Sequence, residues 1–210
     1  GGWRRRAWQR RRRRKSMATK VDLRAELAVG RHPFHPGRVP EIAEWIGELP
    51  RRIGGLIELI WDDDPGVASR AADVLERVSR WAPPAMMRAI LKYKEPLIGL
   101  LAESELAKVR WNLALTLPRL KLTVPECRRM AQTLNGWLDD RSSIVKTAAL
   151  HALADLTRQD ESLKAGVEDV LRVAERTGTP AMRARSRILL KAMERAGGKD
   201  QRRSSLHMFD

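Results

Sequence analysis

The chain has 210 residues, of which 43% are hydrophobic and 5% aromatic, and its formal net charge is +15. This is enough for one domain with a buried core, while the low aromatic content argues against a β-sandwich or barrel. The single cysteine, Cys127, excludes an intrachain disulfide framework and favours a reducing, cytoplasmic setting. No run approaches the roughly 18 apolar residues of a membrane span, so we expect no membrane partner.

The positive charge is concentrated at the start of the chain. Residues 1–16 contain nine Arg and Lys and no acid, whereas the remaining residues contain 32 basic and 26 acidic side chains. Met17 begins a stretch that is typical of a protein start. Residues 1–16 therefore either precede the natural start or form a cationic arm, from Arg4 to Lys15, that binds phosphate by counterion release.

The chain divides into three regions by composition. We expect residues 1–39 to be largely unstructured apart from a short helix near residues 21–29, because "RHPFHPGRVP" (31–40) has no helical period. Residues 40–196 form the folded domain, which begins with a helix over 41–48. Gly197 and Gly198 indicate a helix stop, so residues 197–210 are predicted to be a mobile tail.

The folded domain contains four copies of one apolar pattern. In "VKTAALHALADL", four residues at offsets 0, 4, 8 and 11 share one face of a helix. We call these offsets the template positions. They are Val67, Ala71, Leu75 and Val78 in the first copy, then Val109, Leu113, Leu117 and Leu120, then Val145, Ala149, Leu153 and Leu156, and finally Met182, Ser186, Leu190 and Met193. The copies start 42, 36 and 37 residues apart.

Each copy follows a shorter apolar run and a polar turn. The unit is therefore helix A, a turn and helix B, where helix B carries the template. Pro118 should kink or end the second B helix, and "KYKEP" (92–96) should divide the second A segment, which explains the longer first spacing. The helices after residue 50 are predicted at 51–61, 66–81, 84–93, 96–102, 106–120, 124–138, 142–158, 161–176 and 179–195.

The repeats resemble the HEAT-repeat family, which places an Asp in the turn and a base near the start of helix B. Asp62 and Asp140 lie five residues before the template in two copies. Arg110, Lys146 and Arg183 lie one residue after its start in three copies, and only the third copy has both features. The resemblance implies an all-α, right-handed α-solenoid of four to five HEAT-like helix pairs, with the B helices on the concave face.

The acidic run Asp62–Asp64 lies in the turn before the first B helix. Asp accepts hydrogen bonds from the free amides at a helix start, and its charge favours the positive end of the helix. Pro65 also fits a first helical position. We therefore interpret these carboxylates as turn and cap residues rather than as a metal or acid–base site.

The sequence contains no catalytic triad, phosphate loop or metal-ligand spacing, and we expect no enzyme activity, cofactor or metal. Repeat surfaces favour extended binding with many weak contacts. We predict a non-catalytic scaffold that binds an acidic protein or peptide along the concave face. The candidate contacts are Arg110, Trp111, Lys146, His151, Arg183 and Arg187.

Two alternatives stay open for these residues. The resemblance implies that the basic row can hydrogen-bond turn carboxylates inside the fold. Trp111 can pack against a neighbouring B helix instead of meeting a ligand. A nucleic-acid binder is the second functional reading, because residues 170–196 hold seven bases and two acids. Alkylpurine DNA glycosylases have similar HEAT-like repeats, but the concave acid of that family is not evident here.

Overall fold

The computed structural model describes residues 21–30, 32 and 34–206, with side chains described as far as Ala196. All regular structure in these ranges is helical, as predicted. The α-helices are α1 (Leu23–Ala28), α2 (Val39–Gly47), α3 (Ile53–Glu58), α4 (Pro65–Arg80), α5 (Pro84–Leu91), α6 (Lys94–Glu103), α7 (Ala107–Thr116), α8 (Val124–Gly136), α9 (Ser143–Leu156), α10 (Lys164–Thr177) and α11 (Pro180–Leu206). Short 3-10 turns are Pro50–Arg52, Leu59–Trp61, Leu117–Arg119, Trp137–Asp139 and Glu161–Leu163.

The B helices lie side by side in one row. Helix α4 packs against α7, α7 against α9, and α9 against α11, while α2 extends the row beyond α4. The A helices α3, α8 and α10 pack against the B helices of their own repeats. The segments that begin at Val67, Val109, Val145 and Met182 are therefore neighbours, and the predicted α-solenoid is confirmed.

The template positions form the contact between the two helix layers. Apart from Leu190, which is half-buried, every template residue is buried. Each fully buried Val or Leu side chain contributes about 1.5–3 kcal/mol relative to an exposed one. Cys127 on α8 is also fully buried, and burial raises the pKa of its thiol, as expected of a core cysteine. The core runs through the whole row, so each repeat depends on its neighbours.

The second repeat has an extra break. Helix α5 ends at Leu91 and α6 begins at Lys94, so the second A segment consists of two helices. This confirms the effect predicted for "KYKEP" and accounts for the longer spacing between the first two B helices. Pro118 acts as predicted too, because α7 ends at Thr116 and continues only as a 3-10 turn.

The prediction of a largely unstructured region up to residue 39 needs a correction where the structure describes it. Helix α1 confirms the short helix, but its Leu27 is fully buried and packs with α4. Arg24 forms a two-pronged contact with Asp62, at 2.7 and 2.9 Å between nitrogen and oxygen. These partners are about 40 residues away in sequence, so composition does not indicate them. Residues 1–20, which include the Arg4–Lys15 arm, lie outside the described part.

The predicted helix stop at Gly197 and Gly198 is wrong. Helix α11 continues through both glycines to Leu206. Glycine lowers helix stability by only about 1 kcal/mol relative to Ala, and the Lys, Gln and Arg residues that follow are good helix formers. The remaining tail, residues 207–210, lies outside the described part.

The turn before α4 has the cap that its acidic run predicts. Asp64 accepts hydrogen bonds from the backbone N–H groups of Gly66 and Val67, at 2.7 and 3.1 Å. We expect Asp64→Ala to lower the free energy of unfolding by about 1 kcal/mol in urea titrations, because two helix-start amides lose their acceptor. Asp63→Ala is the matched control and should change little. Equal losses in the two variants would contradict the capping role.

Ser186 is a polar residue within the core. It is fully buried at the second template position of α11, and its hydroxyl has no hydrogen-bond partner in the described structure. An unsatisfied buried hydroxyl costs about 1–3 kcal/mol, so Ser186→Ala should raise the unfolding free energy by about 1 kcal/mol. Ser79→Ala should lower it, because that hydroxyl donates to the carbonyl of Glu76 and accepts from Arg119. Destabilisation by Ser186→Ala would show that its hydroxyl is satisfied.

Glu126 connects two A helices through its charge. Its carboxylate accepts from Lys94 Nζ at 2.8 Å and from the Thr123 N–H at 2.6 Å. Burial alone would raise the pKa of Glu126, but these hydrogen bonds lower it to about 2. A lowered folded-state pKa stabilises the fold above the ordinary value of 4.5, and this stabilisation is lost as the pH falls towards 2.

The stability of Glu126→Gln should therefore depend less on pH than that of the wild type. We expect the gap in unfolding free energy between wild type and variant to be largest above about pH 5 and to shrink in acid. Urea titrations at several pH values measure it. Gln in place of the exposed Glu44 of α2 is the control and should show no such trend. A gap that grows in acid would refute the assignment.

Candidate functional site

An open groove crosses three neighbouring B helices. It lies over α7, α9 and α11, and its volume is about 380 Å³. Its main lining side chains are Trp111, Leu115, Ile144, Thr147, His151 and Arg185. A smaller cavity of about 280 Å³ lies between α9 and α11 and is lined by residues that include Arg158, Glu161 and Lys164. We take the open groove as the candidate site because it spans three repeats and combines exposed apolar surface with a cation.

The groove side chains all point away from the A helices. On α9, Ile144, Thr147 and His151 recur at helical spacing, while the template residues Val145 and Ala149 face the A helices. Ile144 is 52% exposed even though it is apolar. We call this outward side of α4, α7, α9 and α11 the B-helix face.

Equivalent positions repeat along the B-helix face. In the four repeats in order, the third residue after the template start is Arg70, Asn112, Ala148 and Arg185. The sixth residue is Asp73, Leu115, His151 and Ile188. Because the four helices lie side by side with their templates buried, these positions form two rows across the face. Ile188 is 60% exposed, which extends the apolar surface along α11.

The described residues between 21 and 38, which we call the N-terminal segment, cover the first part of the B-helix face. Arg70 of α4 is only 2% exposed because the segment lies over it. Its guanidinium donates to the carbonyls of Leu27, His32 and Ala28. The Phe34 ring lies 5.9 Å from the ring of Trp111, measured between centroids. Trp111 therefore marks the boundary between the covered part of the face and the open groove.

Glycine is required where the N-terminal segment turns back. Gly37 has a φ of +55°, and a Cβ there would lie 2.1 Å from the carbonyl oxygen of Val29. Other residues rarely adopt this conformation, and the contact leaves no room for a side chain. The turn thus holds the segment in the compact form in which it meets Arg70.

The charges beside the groove differ in how far they are already paired. Asp155 lies 3.3 Å from His151 Nε2 and 3.4 Å from Arg158. Burial alone would raise the pKa of Asp155, but the hydrogen bond from His151 and the charges of Arg158 and Arg119 bring it below its ordinary value. The ionised carboxylate is thus balanced locally. Arg185, in contrast, has no ion pair within the described ranges.

The structure brings two of the six predicted contact residues together. Trp111 and His151 line the same groove, from α7 and α9. Arg110 is used inside the fold, where it donates to the Ser104 carbonyl at 2.7 Å, pairs with Asp140 and lies 5.2 Å over the Trp137 ring. This is the structural role that the turn carboxylates suggested for the basic row.

The other three predicted contacts lie off the groove. Lys146 follows Ile144 by two residues, which turns it about 200° around the helix. Arg183 has the same register on α11, and Arg187 follows it by one turn, so both face the free end of the row and are exposed. Their role as contacts stays a prediction, and it requires a surface other than the open groove.

Sequence reasoning missed several groove residues. Leu115, Ile144 and Arg185 were not selected, although Leu115 and Arg185 occupy the sixth and third positions after a template start and Ile144 directly precedes one. Asp155, four residues after His151, was detectable from the same spacing. The signal that indicates them is the helical spacing of the residues that lie off the template on each B helix.

Features of two other site classes are absent from the described residues. No three His, Cys, Asp or Glu side chains there come close enough to hold a metal ion. None of the described helices is both long and apolar enough to cross a bilayer.

The comparisons with known proteins identify the architecture. No family model and no curated protein matches the chain. Among solved structures, an engineered protein superposes with a TM-score of 0.55 at 19% identity, over 82% of this chain and 78% of that one. A designed armadillo repeat protein gives 0.54 at 16% identity. A second one, in complex with the peptide (KR)4, gives 0.53 at 16% identity. Both cover 81% of this chain and 80% of theirs.

These likenesses concern the fold alone, because the identities are low. Armadillo and HEAT repeats are both stacked units of two or three helices, and the second repeat here has three. The HEAT type therefore stays a prediction. What the comparisons and the packing show together is a helical-repeat solenoid similar to designed armadillo repeat proteins.

Proposed function

We propose that this chain is a non-catalytic scaffold that binds an acidic peptide or protein segment in the open groove of its B-helix face. The observation that carries the proposal is the groove itself, which spans three repeats and joins exposed apolar side chains to an unpaired arginine. The resemblance to HEAT repeats implies that this face is concave. A concave face surrounds a bound chain on several sides.

The apolar part of the groove suits an extended partner. Trp111, Leu115 and Ile144 offer exposed or half-buried apolar surface inside the groove, and Ile188 extends the exposed apolar surface along α11 outside it. Packed helices are about 8–10 Å apart, so the groove spans about 20 Å. An extended peptide covers that distance with about six residues. A tryptophan in such a cluster is a typical hot spot of binding.

The charges favour an acidic partner. The carboxylate of Asp155, beside the groove, already pairs with His151 and Arg158, whereas Arg185 is unpaired among the described residues. Further unpaired bases within the described part of α11 are Arg183, Arg187, Lys191 and Arg195. A positive potential around an apolar groove attracts acidic segments and repels basic ones.

A similar solved structure supports peptide binding as the mode of binding, although its bound peptide has the opposite charge to the partner proposed here. One designed armadillo repeat protein is in complex with the peptide (KR)4, which is basic. Its architecture thus accommodates a peptide. The positive potential of the other unpaired bases in the described part of α11, which are Arg183, Arg187, Lys191 and Arg195, is the reason to expect the opposite charge in the partner of this chain.

Nucleic acid is the second candidate, and the exposed bases of α11 favour it. Arg183 and Arg187 face the free end of the row and could contact phosphates. A nucleic-acid complex with 6–10 phosphate contacts loses about 10³–10⁵-fold in affinity between 50 and 200 mM salt. A peptide held by apolar contacts loses much less.

The test uses the full chain and a labelled synthetic peptide of alternating glutamate and leucine. Fluorescence anisotropy should show tighter binding to this peptide than to its lysine–leucine counterpart, with a shallow salt dependence. Single-stranded DNA should bind more weakly at physiological salt. Stronger and steeply salt-dependent binding of DNA would favour the nucleic-acid reading. Equal binding of both peptides would refute the acidic preference.

Trp111→Ala should weaken binding of the acidic peptide about tenfold or more, which corresponds to about 1.4 kcal/mol or more. The reason is the loss of the aromatic surface at the end of the groove where the covered part of the face stops. Trp81→Ala is the matched control, because Trp81 is 89% exposed and lies outside the groove. If both variants bind like the wild type, the open groove is not the binding site.

A further inference from the structure

We propose that Arg185 binds main-chain carbonyl groups of the bound segment, in the way that Arg70 binds the chain's own N-terminal segment. This inference rests on the proposed function and specifies how the ligand is held. It implies a peptide that crosses the B-helix face with its backbone against α11. It also separates two sources of binding, because backbone contacts give affinity and side-chain contacts give specificity.

Arg70 shows what a guanidinium does at this position. It donates through Nε to Leu27, through Nη1 to His32 at 3.2 Å, and through Nη2 to Ala28 at 3.5 Å. All three acceptors are backbone carbonyls, and the carboxylate of Asp64 acts on Arg70 only through its charge, without an ion-pair contact in the described ranges. The planar group has five N–H donors in a fixed fork, which suits several carbonyls of one passing chain.

Arg185 occupies the same position on α11. Each arginine is the third residue after the first template position, Val67 or Met182, so both project from the same side of parallel-packed B helices. Arg185 is half-buried and lines the open groove. The difference is the ligand: Arg70 already has a chain over it, whereas Arg185 has no partner among the described residues.

The two repeats that lie between Arg70 and Arg185 leave room for the backbone of a bound peptide. Asn112 of α7 donates to its own helix at the Lys108 carbonyl, at 2.8 Å, and is buried. Ala148 of α9 has no side chain beyond Cβ and lines the floor of the groove. A peptide can therefore lie close to α9 on its way to Arg185. Among the four equivalent positions, only the first and the last provide a guanidinium.

The N-terminal segment also indicates where a ligand would start. Its Phe34 meets Trp111 from the covered side, at 5.9 Å between ring centroids. The open groove begins at the same Trp111 and ends at Arg185. A bound peptide thus places an apolar side chain against Trp111 and Ile144, and its backbone carbonyls then reach Arg185.

The experiment compares two peptides on the full chain, one of alternating glutamate and leucine and one of alternating glutamine and leucine. We expect Arg185→Ala to weaken binding about tenfold for both, because the carbonyls are the same in each. Arg185→Lys should lose most of this affinity as well, since an ammonium lacks the planar fork. The control Arg183→Ala, on the opposite side of α11, should leave binding of the neutral peptide unchanged. Thermal unfolding of each variant checks that the fold is intact.

Each contrary result has a distinct meaning. If Arg185→Ala weakens binding of the acidic peptide alone, Arg185 recognises carboxylates and the inference is wrong. If it affects neither peptide while Trp111→Ala weakens both, the groove is correct and the inference is wrong. If the wild-type chain binds neither peptide, the proposed function fails, and the inference fails with it.

Discussion

The structure depends on the burial of one apolar stripe on each B helix between its neighbours. The template residues, from Val67 to Met193, leave solvent only when the next helix pair is in place. An isolated helix of this length is marginal in water, and an isolated helix pair leaves one side of its apolar surface uncovered. When the helix pairs stack, each pair covers the apolar surface of the next one along the row. The stability of each repeat therefore depends on its neighbours. The open side of each B helix is then available for other contacts.

The buried side of the B helices was predictable because it follows from periodicity alone. Four offsets located α4, α7, α9 and α11 and their order in space. Pro118 and the break between α5 and α6 were also local properties, set by proline chemistry. Contacts between distant residues were harder, as for Arg110 and Asp140, where only the resemblance suggested a pairing.

The candidate site was predictable only in part, for a physical reason. Trp111 and His151 stand out because each lies off the template and is unusual in type. Arg185 does not stand out, because arginine is common on α11 and only its register distinguishes it from Arg183. The position of Arg185 becomes informative only by comparison with Arg70, which occupies the equivalent position. The contacts of Arg70 with Leu27 and His32 join residues that are distant in sequence, so the local sequence does not predict them.

The N-terminal segment and the open groove divide one continuous face between them. Over α4 the face is already occupied by residues of the same chain, and over α9 and α11 the described residues leave it open. The division falls at Trp111, where Phe34 ends the covered part. The same helix surface is therefore covered by the N-terminal segment in the first repeat and left open by the described residues in the last two.

Arg70 has a consequence for the integrity of the first repeat. Burial lowers the pKa of this guanidinium and the charge of Asp64 partly offsets that effect, yet arginine keeps its proton, so a full positive charge is enclosed with backbone carbonyls as its hydrogen-bond acceptors. A buried cation stripped of such acceptors is severely unfavourable. The carbonyls of Leu27, Ala28 and His32 therefore serve as the cation's solvation shell, and proteolytic loss of this segment would return the guanidinium to water and uncover the surface of α4 against which α1 packs.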